Sequence, residues 1–200
     1  RSYYQPYNAQ TNPEGYTEGN VTIREHTLLK NAVEFIYDEV PLELDVDGND
    51  DGYVDNVTFL VSGSPDDWSD LLWPHRWSLF SFNVFLNGSI VDSYNLNLAS
   101  GGYFNVGTLC HEFFHSLGGP DLYHYAGSGP TAAGGWDIMD GSSNTPQYMG
   151  AWMKHKYGNW IDCPEITQLG IYPLLPLQYQ ETSCFRINSP NSNNEFFVVE

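Results

Sequence analysis

Two hundred residues, 41% hydrophobic and 16% aromatic, can bury a substantial core, which excludes a disordered chain. Twenty-five acidic side chains against seven basic ones give a formal charge of -18, which excludes nucleic acid phosphates and anionic membranes as partners. No run approaches the ~20 apolar residues of a membrane span.

Residues 1–19, rich in Tyr, Asn, Gln, Pro and Gly, read as an extended lead-in. Arg1-Ser2-Tyr3-Tyr4 does not resemble a signal peptide, and a leader or propeptide is expected either to have been removed or to lie outside this sequence. Thr22-Ile23-Arg24-Glu25 reads as a capping box, and Leu29, Val33, Ile36 and Val40 then repeat at helical spacing up to Pro41. This predicts a long backing helix.

Asp47, Asn49, Asp51 and Asp55 place oxygen side chains at positions 1, 3, 5 and 9 of an EF-hand-like loop, with Gly52 at the sharp turn and the Tyr53 carbonyl at position 7. The pattern reads as a calcium site. It is incomplete, since position 12 is Thr58 and not a bidentate Glu, and the same residues also suit a solvated acidic turn. Val57, Phe59 and Val61 then mark a strand expected inside a sheet, and the acidic run Asp66 to Asp70 adds to the cation-binding character. His75, among the aromatics of Trp73-Pro74-His75-Arg76-Trp77, reads as structural.

Phe80, Phe82, Val84 and Leu86 alternate, Asn87-Gly88 supplies a two-residue turn, and Ile90, Tyr94, Leu96 and Leu98 alternate again, which predicts a hairpin. Gly101-Gly102-Tyr103-Phe104-Asn105 leads into a helix carrying His111-Glu112-Phe113-Phe114-His115. At about 100° and 1.5 Å per residue, His111 and His115 lie ~40° apart around that helix and ~6 Å apart along it, so both imidazoles can meet one ion. Glu112 projects from the same edge, where it can hold and deprotonate the metal's water. Val106, Leu109, Cys110, Phe113, Phe114 and Leu117 gather roughly 150° away, which predicts an apolar face turned to the core and histidines turned away from it.

Gly118 can take a left-handed cap conformation and Pro120 stops the helix. The turn that follows brings Asp121 back as a candidate third ligand, with His124 three residues later as its rival, and leaves a fourth position for water. Met139 lies in Trp136-Asp137-Ile138-Met139-Asp140, after Gly134-Gly135. Met149 to Lys154 suggests a further helix ending near Gly158. Beyond, Pro173 and Pro176 break short apolar pieces before Glu195-Phe196-Phe197-Val198-Val199-Glu200, so residues 166–200 are expected to begin a β-rich region that continues past this chain. Cys163 and Cys184 flank the Pro-rich stretch and can pair as a disulfide, whereas Cys110 falls on the predicted buried face; three cysteines leave the compartment open.

The pattern H-E-x-x-H-x-x-G-x-x-D resembles the metzincin clan of zinc endopeptidases in its aspartate variant, as in snapalysins and immune inhibitor A-like peptidases. Met139 sits where that clan has its methionine turn, and an Asp-rich loop before an apolar strand is similar to one in the immune inhibitor A-like group. The resemblance implies an α+β fold, a twisted mixed sheet with a backing helix and an active-site helix above a smaller C-terminal subdomain. It divides the chain into a segment 1–19, a catalytic domain 20–165 with its cleft between 20–118 and 119–165, and the β-rich start 166–200. Catalytic zinc on His111, His115 and Asp121, with Asp121 ranked above His124 by family spacing, Glu112 as general base, structural calcium at Asp47, Asn49, Asp51, Tyr53 and Asp55, and a protein or peptide substrate are what it implies. One arm of the hairpin is then a candidate substrate-pairing strand, though an ordinary edge strand has the same pattern. The tyrosine that assists in some metzincins has Gly141 in its place here, leaving Tyr125 or Tyr148. Calcium is most useful outside cells, so secretion is expected. The competing class is a calcium-dependent adhesion or glycan-binding module on an inactive peptidase fold; a zinc hydrolase of another bond is a third.

Overall fold

The computed structural model describes residues 2–63, 71–99, 102, 104–126, 129–176 and 183–200, and the chain falls into two units, Arg1–Ser116 and Leu117–Glu200. The acidic run Asp66 to Asp70, and Gly101 and Tyr103 of the lead-in, lie outside the described residues.

In the first unit, helix α1 (Val21–Ile36) tightens into a 3-10 turn, Tyr37–Glu39, ahead of Pro41. Leu29 and Val33 are buried as the spacing predicts, together with Glu25 and His26. The capping box does not form. Asn20 occupies the N-cap without a side-chain cap, its Oδ1 accepting instead from the Thr17 N–H at 2.9 Å, and Thr22 lies inside the helix. Glu25 is turned into the core, where it accepts bonds from His75 and Tyr94. Water can satisfy the N-terminal amides of an exposed helix, but a buried donor left without an acceptor costs about 1–3 kcal/mol, so the core claims the carboxylate.

A mixed three-stranded sheet has the order β1–β5–β2, with β1 (Val57–Val61) parallel and β2 (His75–Ser78) antiparallel to the central β5 (Ser93–Leu98). The predicted strand at 57–61 is present, but it lies at an edge of the described sheet and not inside it. The predicted hairpin shrinks to β3 (Phe85–Leu86) and β4 (Ser89–Ile90), around Asn87 and Gly88 at φ 48° and 96°, the two positive values that its tight turn requires. Residues 93–98 leave it: β5 bonds β1 along Val57↔Tyr94 to Val61↔Leu98 and β2 along His75↔Leu96 to Ser78↔Ser93. Pairing on both edges satisfies more backbone than a single hairpin partner could, and it buries Tyr94 to Leu98 completely. The core joins Leu29 and Val33 of α1 to Tyr94, Leu96 and Leu98, with Leu71, Leu79 and Val91 around them.

Helix α2 (Val106–Ser116) closes this unit. Of its predicted apolar stripe Phe114 is buried and Leu109 half-buried, but the rest does not face a core. Val106, Cys110, Phe113 and Leu117 are exposed, while His111, Glu112, Thr108 and Phe114 are buried. The reason is the surface α2 packs on, the polar face of β5 and β2. There Asn56 Nδ2 donates to Ser116 Oγ (2.8 Å), Ser116 Oγ to Asn95 Oδ1 (3.4 Å) and Asn95 Nδ2 to Asn56 Oδ1 (3.3 Å), a closed ring that pins the last turn of α2 to the sheet.

The second unit is mostly loops. Helix α3 (Ala151–Met153) runs on into a wider turn, Lys154–Gly158, closed by Asn159 in the left-handed conformation, close to the predicted end. Strands β6 (Phe185–Asn188) and β7 (Phe196–Val199) pair antiparallel. Ala151, Ile161, Cys163 and Cys184 form its small core. The expected disulfide is not formed; Cys163 and Cys184 are both free. The Cys184 thiol donates to the Asp162 carbonyl at 3.3 Å, and burial beside the Cys163 thiol pushes its pKa up to about 12, which keeps it protonated. Among the described residues no helix is long and apolar enough to cross a membrane.

Candidate metal centre

Asn105 starts α2: its Oδ1 accepts the Thr108 N–H at 3.0 Å while its Nδ2 reaches Thr108 Oγ1 and the Gly102 carbonyl. One helical turn separates His111 and His115, whose ring centroids lie 4.9 Å apart with planes at 88°. Glu112, between them in sequence, is 7% exposed. Gly118, at φ 88°, adopts the left-handed conformation the helix stop demands. Along this one continuous stretch of chain a ligand atom from each of His111, His115 and Asp121 falls within 4.8 Å of the other two. Among the described residues no other trio of His, Cys, Asp or Glu does so, and His124 is not part of it. Two imidazoles and a carboxylate are a donor set that suits zinc.

The residue after Asp121 is tied to the turn that carries Met139, because the Leu122 N–H donates to the Met139 carbonyl at 2.8 Å. Met139 is fully buried. Its turn is held by Asp137, whose Oδ1 accepts the Met139 N–H (2.8 Å) and whose Oδ2 accepts the Gly150 N–H (2.6 Å). The Tyr125 hydroxyl donates to Asp121 Oδ2, and Tyr148, exposed, gives its carbonyl to the Ile138 N–H.

The acidic loop keeps its turn but does not gather its carboxylates in that way. Asp50 (φ 59°) and Gly52 (φ 88°) make the sharp bend. Asp47 accepts the Asp51 and Gly52 N–H groups (3.0 and 2.8 Å), Asn49 Oδ1 the Asp51 N–H (3.1 Å), Asp51 the Tyr53 N–H (2.9 Å) and Asp55 the Gly48 N–H (3.2 Å). Thr58, at position 12 and within β1, donates its hydroxyl to Asn56 Oδ1 just before the strand.

A family model described as immune inhibitor A peptidase M6, catalytic domain, matches residues 37–161. The chain belongs to the immune inhibitor A peptidase family. None of the curated proteins matches it. The family match makes it a metallopeptidase, a hydrolase whose substrate is a peptide or protein, and the match takes in both histidines, Glu112, Asp121, the Met139 turn and the acidic loop.

Two further features of this peptidase lie outside the His111, His115 and Asp121 group. Within the second unit a cavity of about 940 Å³, beside the Met139 turn, is walled by Leu122, Trp136, Tyr148, Met149, Trp152 and Met153. In the first unit, a buried polar group links α1, β2 and β5. His75 Nε2 lies 3.0 Å from Glu25 Oε1, which also accepts the Tyr94 hydroxyl, and His75 Nδ1 lies 2.6 Å from the Trp73 carbonyl. Burial works against a charged His75. The bond to Glu25, the Glu25 charge, the Trp73 carbonyl and the Glu112 charge outweigh it and raise the pKa above the ordinary 6.5. Burial beside Glu25 also pushes Tyr94 far up, so it stays a neutral donor, and burial lowers His26, whose Nδ1 is 2.6 Å from Ser81 Oγ. The signal for this group was the Trp73-Pro74-His75 segment, and the apparent capping box hid its partner.

Proposed function

We propose that the chain is a secreted zinc endopeptidase of the metzincin type. The observation that carries the reading is the His111, His115 and Asp121 trio, with Glu112 buried on the same helix, in a member of a metallopeptidase family. His111, His115 and Asp121 would hold the ion, and zinc there supplies a Lewis acid that brings the pKa of bound water down to ~7. Glu112 takes the proton of the attacking water and passes it to the leaving amine. The bond from Leu122 to Met139 supports Met139 as the floor of the site. Tyr125 is engaged with Asp121, which favours Tyr148 as the assisting tyrosine.

The substrate strand is assigned to β2 in place of a hairpin arm. It is an edge strand of the described sheet, antiparallel to β5 and packed against α2, which supports strand addition by an extended peptide along its outer edge. Structural calcium in the loop of Asp47, Asn49, Asp51, Tyr53 and Asp55 belongs to the same proposal. The left-handed Asp50 and Gly52 support it, although an acidic turn makes the same N–H bonds without a cation.

Cleavage of an unfolded protein such as casein should stop on chelation with phenanthroline and return on adding zinc. Cleavage that persists through complete removal of zinc would refute the assignment.

A further inference from the structure

Edge strand β2 begins at His75, and the side chain of this residue is held from both ring nitrogens. The Trp73 carbonyl can only accept, so Nδ1 carries a proton. Oε1 of the Glu25 carboxylate accepts from Tyr94 and also needs an N–H from Nε2. Both nitrogens donate, so His75 is an imidazolium. Among the described residues it is the cationic partner of Glu25, and the pair is sealed from water, with side-chain exposures of 9% for His75 and 5% for Glu25. A carboxylate in such a place is held only if it is paired and its remaining lone pairs are used.

The groups facing His75 come from every layer around it. Glu25 and the neutral His26 lie on α1, Tyr94 on β5 and the Trp73 carbonyl just before β2, and Glu112 on α2 adds its negative charge. Trp73 stacks on the imidazole at 5.0 Å, and Tyr94 meets it edge-on at 5.8 Å. These contacts fix where β2 starts and how it is turned. Backbone pairing to β5 fixes the register of β2 and α2 packs against it, while the His75 clamp ties its first residue to α1.

We propose that His75, clamped by Glu25, Tyr94 and the Trp73 carbonyl, is a positioning residue that sets the edge strand β2 for substrate pairing. The inference rests on the peptidase reading and on β2 as the substrate strand. His75 acts on binding and touches neither substrate nor metal ligands, so its loss falls on KM and not on kcat.

The test uses the zinc-loaded chain and an internally quenched peptide, with kcat, KM, zinc content and circular dichroism measured together. His75→Gln keeps one donor but never a charge, and is expected to raise KM about tenfold while kcat stays within about twofold and zinc content is kept. A fall in kcat with KM kept overturns the proposal, as does lowered thermal stability with both constants kept. If His75→Gln does not fold, Glu25→Gln, which keeps shape and loses charge, is read for the same split. A folded, zinc-loaded chain that cleaves no peptide before any substitution overturns the peptidase reading itself, and the inference with it.

Discussion

Glu112→Gln lowers peptide cleavage by about three to four orders of magnitude, while zinc binding stays intact. The side chain keeps its size, and His111 and His115 keep their places on the same helix. What is lost is a carboxylate able to take the water's proton, and an amide cannot replace it. Zinc content by mass spectrometry, measured beside cleavage of a quenched peptide, separates this from loss of the site. Undiminished cleavage by the variant would remove Glu112 from the chemistry, and loss of zinc would make it part of the binding site instead.

Glu25→Ala should carry the largest stability cost in the first unit, about 3–5 kcal/mol, because it strands a buried imidazolium and leaves the Tyr94 hydroxyl without its acceptor. Urea unfolding of the two proteins side by side measures it. A loss below about 1 kcal/mol would mean that water or another group covers the vacated pair. The same pair gives a pH signature. His75 has its pKa raised above 6.5 in the folded chain, so between 6.5 and the folded value the folded state binds more protons than the unfolded one. The stabilisation is therefore complete below pH 6.5 and is lost as pH rises through the folded value. The urea midpoint of the unsubstituted chain should fall across that window, and His75→Gln should flatten the fall.

The candidate site was legible where local geometry decides it. Two histidines four apart on a helix, a glycine that can turn left-handed and an aspartate just beyond are set by chain spacing, and His111, His115 and Asp121 do come together. Asn87 and Gly88 likewise fixed their turn without help from the rest of the fold. Burial was misread where tertiary partners decide it. Periodicity assigned α2 an apolar buried face, but its neighbour is a sheet face carrying Asn95 and Asn97, so the helix packs through Ser116 and its histidine side and leaves Phe113 49% exposed. Alternation from Phe80 to Leu98 looked like one hairpin because pattern cannot tell which strand β5 will choose. Strand β2, only four residues long with Pro74 before it, carries too little pattern to be seen. Glu25 matched a capping box letter for letter, yet its partners, 50 and 69 residues away, could be seen only in the folded chain.

Anomalous diffraction at the zinc absorption edge, from a crystal grown with zinc, tests the central claim most directly. A peak bonded by one nitrogen each of His111 and His115 and a carboxylate oxygen of Asp121 is the predicted result. A peak held by His124 in place of Asp121, or no peak among these side chains, would contradict it.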